Sequence, residues 1–161
     1  MSRRIIAHLM LALPLFFCVT AAAHGGPNFA GTWNQDNSRS TVPPNWTLKY
    51  SNKIEQSDST LIITTTLRGG SRGATTFTRT YNLDGKPSVT KGREGNPITT
   101  TAQWKGRGLQ IETVEKERGG EVKSVETWTL SGNWKTLTKT IHTSGPRGES
   151  DRRYVLERQQ P

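Results

Sequence analysis

The feature that most constrains the fold is a series of short segments rich in Thr and in β-branched or aromatic residues, with turn residues between them. The turns recur at intervals of roughly 8 to 12 residues, which is typical of an all-β sandwich or barrel. Within residues 98–104, even-numbered side chains fall on one strand face and odd-numbered side chains on the other. No segment has the period of a helix. The pattern therefore predicts an all-β chain.

The spacing of the turns predicts nine or ten strands, depending on whether residues 87–91 pair. The predicted strands cover residues 29–35, 47–56, 60–68, 74–82, 87–91, 97–105, 108–117, 121–131, 135–143 and 150–158. Almost every connection is short enough for a hairpin, and an up-and-down sheet of this length closes to remove its edges. We therefore expect an up-and-down antiparallel β-barrel of 8 to 10 strands. The longer connection, residues 36–45, should lie across one end.

The composition offers disorder as an alternative. In residues 24–161, Leu, Ile, Val and Phe number 22, roughly 16%, and less than about 20% together with high net charge is typical of disordered chains. All five Trp lie in the same part of the chain, at positions 33, 46, 104, 128 and 134, and a disordered linker rarely carries so many. A barrel also needs fewer apolar residues than a sandwich, because it can enclose a partly polar cavity. A folded barrel is therefore favoured.

Residues 1–23 have the pattern of a signal peptide. Two arginines precede an apolar run over residues 5–19, and three alanines follow it, which suits cleavage near Ala23. The run is shorter than the roughly 20 residues of a membrane-spanning helix, so no transmembrane segment is expected. Cys18, the only cysteine, leaves with the signal, so packing alone must hold the exported chain. We expect a secreted or periplasmic protein with one barrel domain, residues 24–161.

Short motifs at both ends of the chain resemble a known family. Residues 27–33 read PNFAGTW and residues 152–155 read RRYV. The first closely resembles the opening strand of the intracellular lipid-binding proteins, which carry fatty acids and retinoids, and its Gly-x-Trp is shared with lipocalins. The second is similar to the Arg-x-Tyr-Val of their last strand, and residues 130–138 look like the hairpin before it. With its Gly-Thr-Trp start and Asp-Gly turn, the chain also resembles secreted bacterial lipocalin-like proteins, and these resemblances imply a calycin barrel with an internal ligand site.

The resemblance also implies roles for individual residues. In these families the opening Trp packs at the barrel floor, often against an Arg near the C-terminus, which implies a floor built on Gly31 and Trp33. Their Arg-x-Tyr side chains point inward to grip a ligand carboxylate. Arg152 and Tyr154 share one strand face, and a guanidinium and a phenol can donate together to one carboxylate. A salt bridge with a nearby acid is the alternative role for Arg152.

Two features depart from the lipid carriers. Their helical lid has no counterpart, because only about a dozen residues separate Trp33 from the next predicted strand. Their second inward Arg aligns with Glu126, which would repel an acidic ligand or pair with Arg152. The candidate ligand-binding residues are Arg152, Tyr154, Trp104, Trp128 and Glu126. The predicted function is lipid or small-molecule binding, with a small hydrophobic or amphipathic ligand, partly apolar or acidic, inside the barrel.

Other functions find less support in the sequence. Residues 24–161 contain no thiol, Gly-x-Ser-x-Gly motif, phosphate-binding loop or cluster of metal ligands, so we expect neither enzymatic activity nor a cofactor. His24 and His142 are candidate copper ligands, since an N-terminal His offers amine and imidazole. A glycine-rich start and a water-facing strand position argue against that site, and no metal is expected.

A basic interaction module is the rival hypothesis. The chain has a formal net charge of +9, and positive surfaces attract the polyanions of a cell envelope. Its basic loops, with Arg68 and Arg72, would then bind a polyanion or a protein, and the barrel would serve as a scaffold.

Overall fold

The computed structural model describes residues 26–70, 73–92, 95–117 and 119–160, which form ten β-strands and one turn of 3₁₀ helix, Asn37–Arg39. The strands are β1 (Gly31–Gln35), β2 (Lys49–Gln56), β3 (Thr60–Gly70), β4 (Gly73–Asn82), β5 (Ser88–Lys91), β6 (Pro97–Lys105), β7 (Gly108–Glu117), β8 (Gly120–Leu130), β9 (Thr136–Gly145) and β10 (Gly148–Arg158). In the described part of the chain, no helix has the length and apolar character needed to span a bilayer.

The ten strands form one antiparallel sheet that curls into a nearly closed barrel. Its strand order is β4-β3-β2-β1-β10-β9-β8-β7-β6-β5, so strands adjacent in the sequence pair, except β4 and β5, and the first strand pairs with the last. Trp33 on β1 lies opposite Arg158 on β10. Among the described residues, β4 and β5 share no hydrogen-bonded ladder, and β4 instead approaches β6 across the remaining gap. The predicted all-β, up-and-down barrel is confirmed, with ten strands.

Thr residues cover much of the outer surface of the barrel. Thr64 lies opposite Thr78, with their hydroxyl oxygens 3.2 Å apart, and Thr66 and Thr76 repeat the contact at 3.3 Å. Thr keeps the β preference of a branched side chain without adding apolar surface. The few large apolar residues are therefore free to face inward.

The interior differs between the two ends of the barrel. At the end where β1 begins, the inward side chains are apolar and fully buried. We call this packed layer the floor, and its residues are Phe29, Trp33, Leu61, Leu109 and Leu137. Toward the other end the inward positions of β8 and β9 become polar, and Ser124 and Thr143 place their hydroxyl oxygens 3.1 Å apart. The interior is thus apolar and packed at one end and partly polar further along.

Trp33 and Gly31 lie in the floor and are linked to the last strand. The Trp33 indole is fully buried, and its Nε1 donates to the Phe29 carbonyl at 2.8 Å. The Arg158 guanidinium lies 4.2 Å from the centroid of the Trp33 ring and donates to the Ala30 carbonyl at 2.6 Å. Gly31 has a φ of +133°, and a Cβ there would lie 2.8 Å from Arg158 Nη1. A glycine at this position therefore lets the arginine cross the end of β1.

The segment before β1 closes the floor from below. The Phe29 ring stacks on Trp104, with centroids 5.8 Å apart and planes 7° apart, and meets Trp128 edge-on at 5.7 Å. A Cβ on Gly26 would collide with the Trp104 ring. Trp104 consequently belongs to the floor.

Residues 36–48, which we call the cap, lie along β10 and across the opposite end. The Asp36 amide donates to the Val155 carbonyl at 2.8 Å, and the Thr41 amide to the Arg153 carbonyl at 2.7 Å. Ser40 Oγ accepts from the Val155 amide at 2.9 Å. These bonds hold the cap in place against β10.

Candidate ligand-binding cavity

A cavity of about 300 Å³ lies between the floor and the cap. Six of its wall residues are aromatic: Trp46, Tyr50, Phe77, Tyr81, Trp128 and Tyr154. Three charged side chains also reach it, Arg79 on β4, Glu126 on β8 and Lys139 on β9. An apolar cavity of this size with a few polar groups is typical of a small-molecule site.

Lys139 is the most unusual residue of the wall. The register places it opposite Trp128 on β8 and opposite Tyr154 on β10. Its side chain is buried, with 7% of the residue exposed, and Nζ lies 3.7 Å from the centroid of the Trp128 ring, which stabilises the cation. The ion pairs formed among the described residues do not include it. Burial lowers the pKa of Lys139 to about 8, against the opposing effect of the Glu126 charge.

Glu126 is fixed on the wall by its neighbour on the same strand face. Its Oε2 accepts a hydrogen bond from Trp128 Nε1 at 3.0 Å. Because Glu126 pairs with Ile141 in the β8–β9 register, it lies diagonally across from Lys139, within reach of a long side chain. Trp128 therefore contacts both the acid and the base of the cavity.

Arg79 and two tyrosines complete the polar part of the wall. Arg79 is exposed, and its guanidinium lies 5.6 Å from the Phe77 ring centroid, so this pair forms the rim on β4. Burial raises the pKa of Tyr50 and of Tyr81 above the usual value. Both phenols are consequently neutral hydrogen-bonding groups at physiological pH.

Two buried donors near the cavity lack a partner among the described residues. They are Trp46 Nε1 on the cap and Asn52 Nδ2 on β2. The other amide atom of Asn52, Oδ1, accepts from Thr65 Oγ1 at 2.8 Å, and Thr65 lines the cavity. A buried donor without an acceptor costs about 1–3 kcal/mol. Of these two residues, Trp46 itself lines the cavity.

Solved structures share this architecture. Secretory abundant heat soluble protein 4 from Ramazzottius varieornatus aligns with a TM-score of 0.61 at 13% identity, covering 81% of this chain and 94% of that chain. The Schistosoma mansoni fatty acid binding protein in complex with arachidonic acid gives 0.56 at 11% identity, covering 82% and 96%. Zebrafish ileal bile acid-binding protein complexed with cholic acid gives 0.53 at 17% identity, covering 81% and 98%.

The chain has a calycin-like fold. At these identities the likeness shows the fold alone. No protein-family model matches the sequence, and no curated protein matches it.

Within the calycin-like barrel, the sequence-predicted residues lie in different places. Tyr154, Trp128 and Glu126 line the cavity, and Trp104 is part of the floor. Arg152 is exposed and lines a separate pocket, together with Thr140 and His142. The structure therefore does not bring Arg152 and Tyr154 together inside the cavity.

Besides Glu126, two charged residues reach the cavity, Lys139 and Arg79. Neither of them is among the ligand-binding candidates predicted from the sequence. A signal for both was present in the sequence. Lys139 alternates with Leu137 and Ile141, and Arg79 alternates with Phe77 and Tyr81. A charged residue in the middle of an inward-facing apolar row is the pattern that identifies them.

The remaining candidates lie away from the cavity. His142 is exposed, and its Nδ1 lies 2.8 Å from Asp151 Oδ1, a hydrogen bond that raises the pKa of the imidazole. His24 lies outside the described residues. Within those residues, no group of three side chains could hold a metal ion. Arg68 is exposed at the end of β3 and Arg72 lies outside the described residues, so polyanion contact stays a prediction.

Proposed function

We propose that the protein binds a small, partly apolar molecule in the cavity of its calycin-like barrel. The observation that carries the proposal is the aromatic cavity of about 300 Å³ with Lys139 buried in its wall. A solid apolar core would give no reason to bury an amine, because desolvation of a charge is costly. Two of the similar solved structures are complexes with arachidonic acid and with cholic acid, which also supports a hydrophobic or amphipathic ligand.

The polar end of the ligand carries hydrogen-bond acceptors. Trp46 Nε1 is a buried donor without a partner among the described residues, and the ion pairs formed among those residues do not include Lys139. A carboxylate or carbonyl oxygen would accept from both groups. Arg79 at the rim favours an acid, while Glu126 opposes one. The apolar part of the ligand would lie against Tyr50, Trp128 and the neighbouring aliphatic residues. The role proposed is binding, without catalysis.

The test compares binding of a fluorescent probe by the wild type, by a variant with a blocked cavity and by a control variant. Ile141 lines the cavity on β9, whereas its neighbour Thr140 is exposed on the outer face. Ile141→Trp should abolish binding of anilinonaphthalene sulfonate and its displacement by decanoate, because the added ring fills the cavity. Thr140→Trp should bind like the wild type. Equal binding by both variants would place the ligand elsewhere and contradict the proposal.

We further propose that the protein is exported after cleavage near Ala23. The support is the signal-like pattern of residues 1–23. Amino-terminal sequencing of protein recovered from the periplasm or medium of a bacterial host should begin at His24. A cell-associated chain that retains residue 1 would contradict export.

Polyanion binding is kept as a second proposal, which the net charge of +9 favours. The protein should then bind heparin at low salt, and Arg68→Glu should elute at lower salt. An unchanged elution, or no retention at all, would argue against a surface site at this turn.

A further inference from the structure

Lys139 differs from other lysines of the chain in burial and in pairing. Lys53 and Lys123 are about half exposed or more, and their Nζ atoms lie 2.7 and 2.9 Å from the carboxylates of Glu55 and Glu112. Lys139 is buried in the cavity wall, and its Nζ lies against the face of the Trp128 ring. The barrel thus presents a primary amine to a small apolar space.

The surroundings of this amine raise its neutral, nucleophilic fraction above that of an ordinary lysine. Desolvation is the largest influence and lowers the pKa of Lys139 to about 8; the Arg79 charge lowers it further, and Glu126 raises it. Roughly a tenth of the amine is then neutral at pH 7, against roughly one part in three thousand for an ordinary lysine. Tyr50 and Tyr81 in the wall are neutral, because burial raises the pKa of each phenol. Desolvated lysines of this kind form Schiff bases with carbonyl compounds.

We propose that Lys139 binds apolar aldehydes covalently, as an imine between its Nζ and the aldehyde carbon. The inference rests on the proposed function, because the aldehyde must first occupy the cavity. The chemical class assigned to the ligand is an aliphatic or aromatic aldehyde whose hydrocarbon part fits beside Trp128 and Tyr154.

The reaction is a condensation that needs no oxidant or reductant. The lone pair of neutral Nζ attacks the aldehyde carbon, a C–N bond forms, and the C=O π pair moves to oxygen. A proton passes from nitrogen to that oxygen and gives a carbinolamine. The hydroxyl then leaves as water after protonation, so that one amine, one aldehyde and one proton yield one iminium ion and one water.

Two features of the cavity stabilise the product. Glu126 lies diagonally across from Lys139 and is fixed by Trp128 Nε1 at 3.0 Å, so its carboxylate serves as counter-ion to the iminium. The burial of Lys139 against the Trp128 ring limits access of water, the reactant that hydrolyses an imine. Trp128 therefore contributes to both features, through its N–H and its ring.

The experiment is reductive trapping with decanal. Full-length protein and decanal are treated with cyanoborohydride, and adducts are located by peptide mass mapping. We expect one main adduct at Lys139, with a yield on the order of ten- to a hundredfold above that at exposed Lys53. Lys139→Arg keeps a cation beside Trp128 but cannot form the imine, so it should lose this adduct. Lys53→Met should keep it.

Three outcomes would overturn the inference. The first is an even spread of adducts over surface lysines, and the second is an unchanged adduct pattern in Lys139→Arg. The third is the absence of an adduct at Lys139 although decanol displaces anilinonaphthalene sulfonate from the cavity. The last result leaves the proposed function standing, because decanol enters the same cavity without the chemistry. If decanol and decanal both fail to displace the probe, the binding proposal fails as well. Peptide mass mapping of the wild-type protein alone shows whether Lys139 carries the adduct, even if a variant does not fold.

Discussion

The Arg158 guanidinium lies over the Trp33 ring, 4.2 Å from its centroid, and joins the last strand of the barrel to the first. Three carbonyl groups also accept from this arginine, those of Trp134 at 2.9 Å, Ala30 at 2.6 Å and Asn28 at 3.3 Å. The chain has no disulfide available among residues 24–161. Closure of the barrel therefore depends on packing and hydrogen bonds at this junction.

Replacement of Trp33 tests whether the barrel depends on packing in the floor. Trp33→Ala removes a fully buried side chain and should lower the free energy of unfolding by about 3–5 kcal/mol. Trp134→Ala is the matched control, because Trp134 is 46% exposed and should cost far less. Urea denaturation measures both. A loss below about 1 kcal/mol for Trp33→Ala would show that the indole does not hold the floor.

Gly31 should resist substitution because of its backbone and its neighbour. Its φ is +133°, and Arg158 Nη1 lies only 2.8 Å from the position that a Cβ would take, so Gly31→Ala should cost about 1–3 kcal/mol. Gly132→Ala is the control, since nothing lies within 4 Å of a Cβ there. In the background of Arg158→Ala, the cost of Gly31→Ala should fall, as expected for coupled neighbours. Purely additive costs in urea denaturation would rule out the steric explanation.

The buried lysine predicts a rise of stability with pH. Its pKa is about 8 in the folded protein against an ordinary 10.5, so between these values the unfolded chain binds more protons than the folded one, and the free energy of unfolding increases with pH. Relative to Lys139→Met, which shares every other group, the wild type should gain about 2 kcal/mol between pH 7 and pH 9.5. Tyr50 and Tyr81, whose raised pKa values act in the opposite direction above pH 10, cancel in the comparison. A pH-independent difference would mean that Lys139 is solvated.

The strands were predictable because their signal is local. A period of two, Thr on the outer face and Gly or Asn at the turns are readable from one segment at a time, and each of the ten predicted segments overlaps an observed strand. The cap was predictable for the same reason, as the one long connection. The barrel followed from the short connections and from closure of the sheet, in which β2 pairs along one edge of β1 and β10 along the other.

The site was less predictable because it depends on register and depth. Arg152 and Tyr154 share a strand face, yet only Tyr154 lies deep enough to reach the cavity. The pairing of Lys139 with Trp128 arises across two strands, and sequence alternation alone does not specify which inward residues face each other. Lys139 alternates with Leu137 and Ile141, and a lone charged residue in such an apolar row is a signal for an inward position.

The indole N–H of Trp46 on the cap gives a further prediction about ligand chemistry. Trp46→Phe keeps an aromatic ring on the cavity wall but removes the N–H that lacks a partner among the described residues. Affinity for decanoate should fall roughly fivefold, the equivalent of about 1 kcal/mol for one hydrogen bond, while affinity for decane should not change. Isothermal titration or probe displacement measures both. Equal losses for the two ligands would show that Trp46 acts through packing alone.

The most direct test of the cavity proposal is a titration of ¹⁵N-labelled protein with decanoate, followed by the indole N–H signals of its five Trp residues. Trp46 and Trp128 line the cavity, whereas Trp134 is exposed beside a separate outer pocket. Occupation of the cavity predicts saturable shifts of the Trp46 and Trp128 signals and an unmoved Trp134 signal. Shifts confined to Trp134, or no shifts at saturating decanoate, would contradict ligand binding inside the barrel.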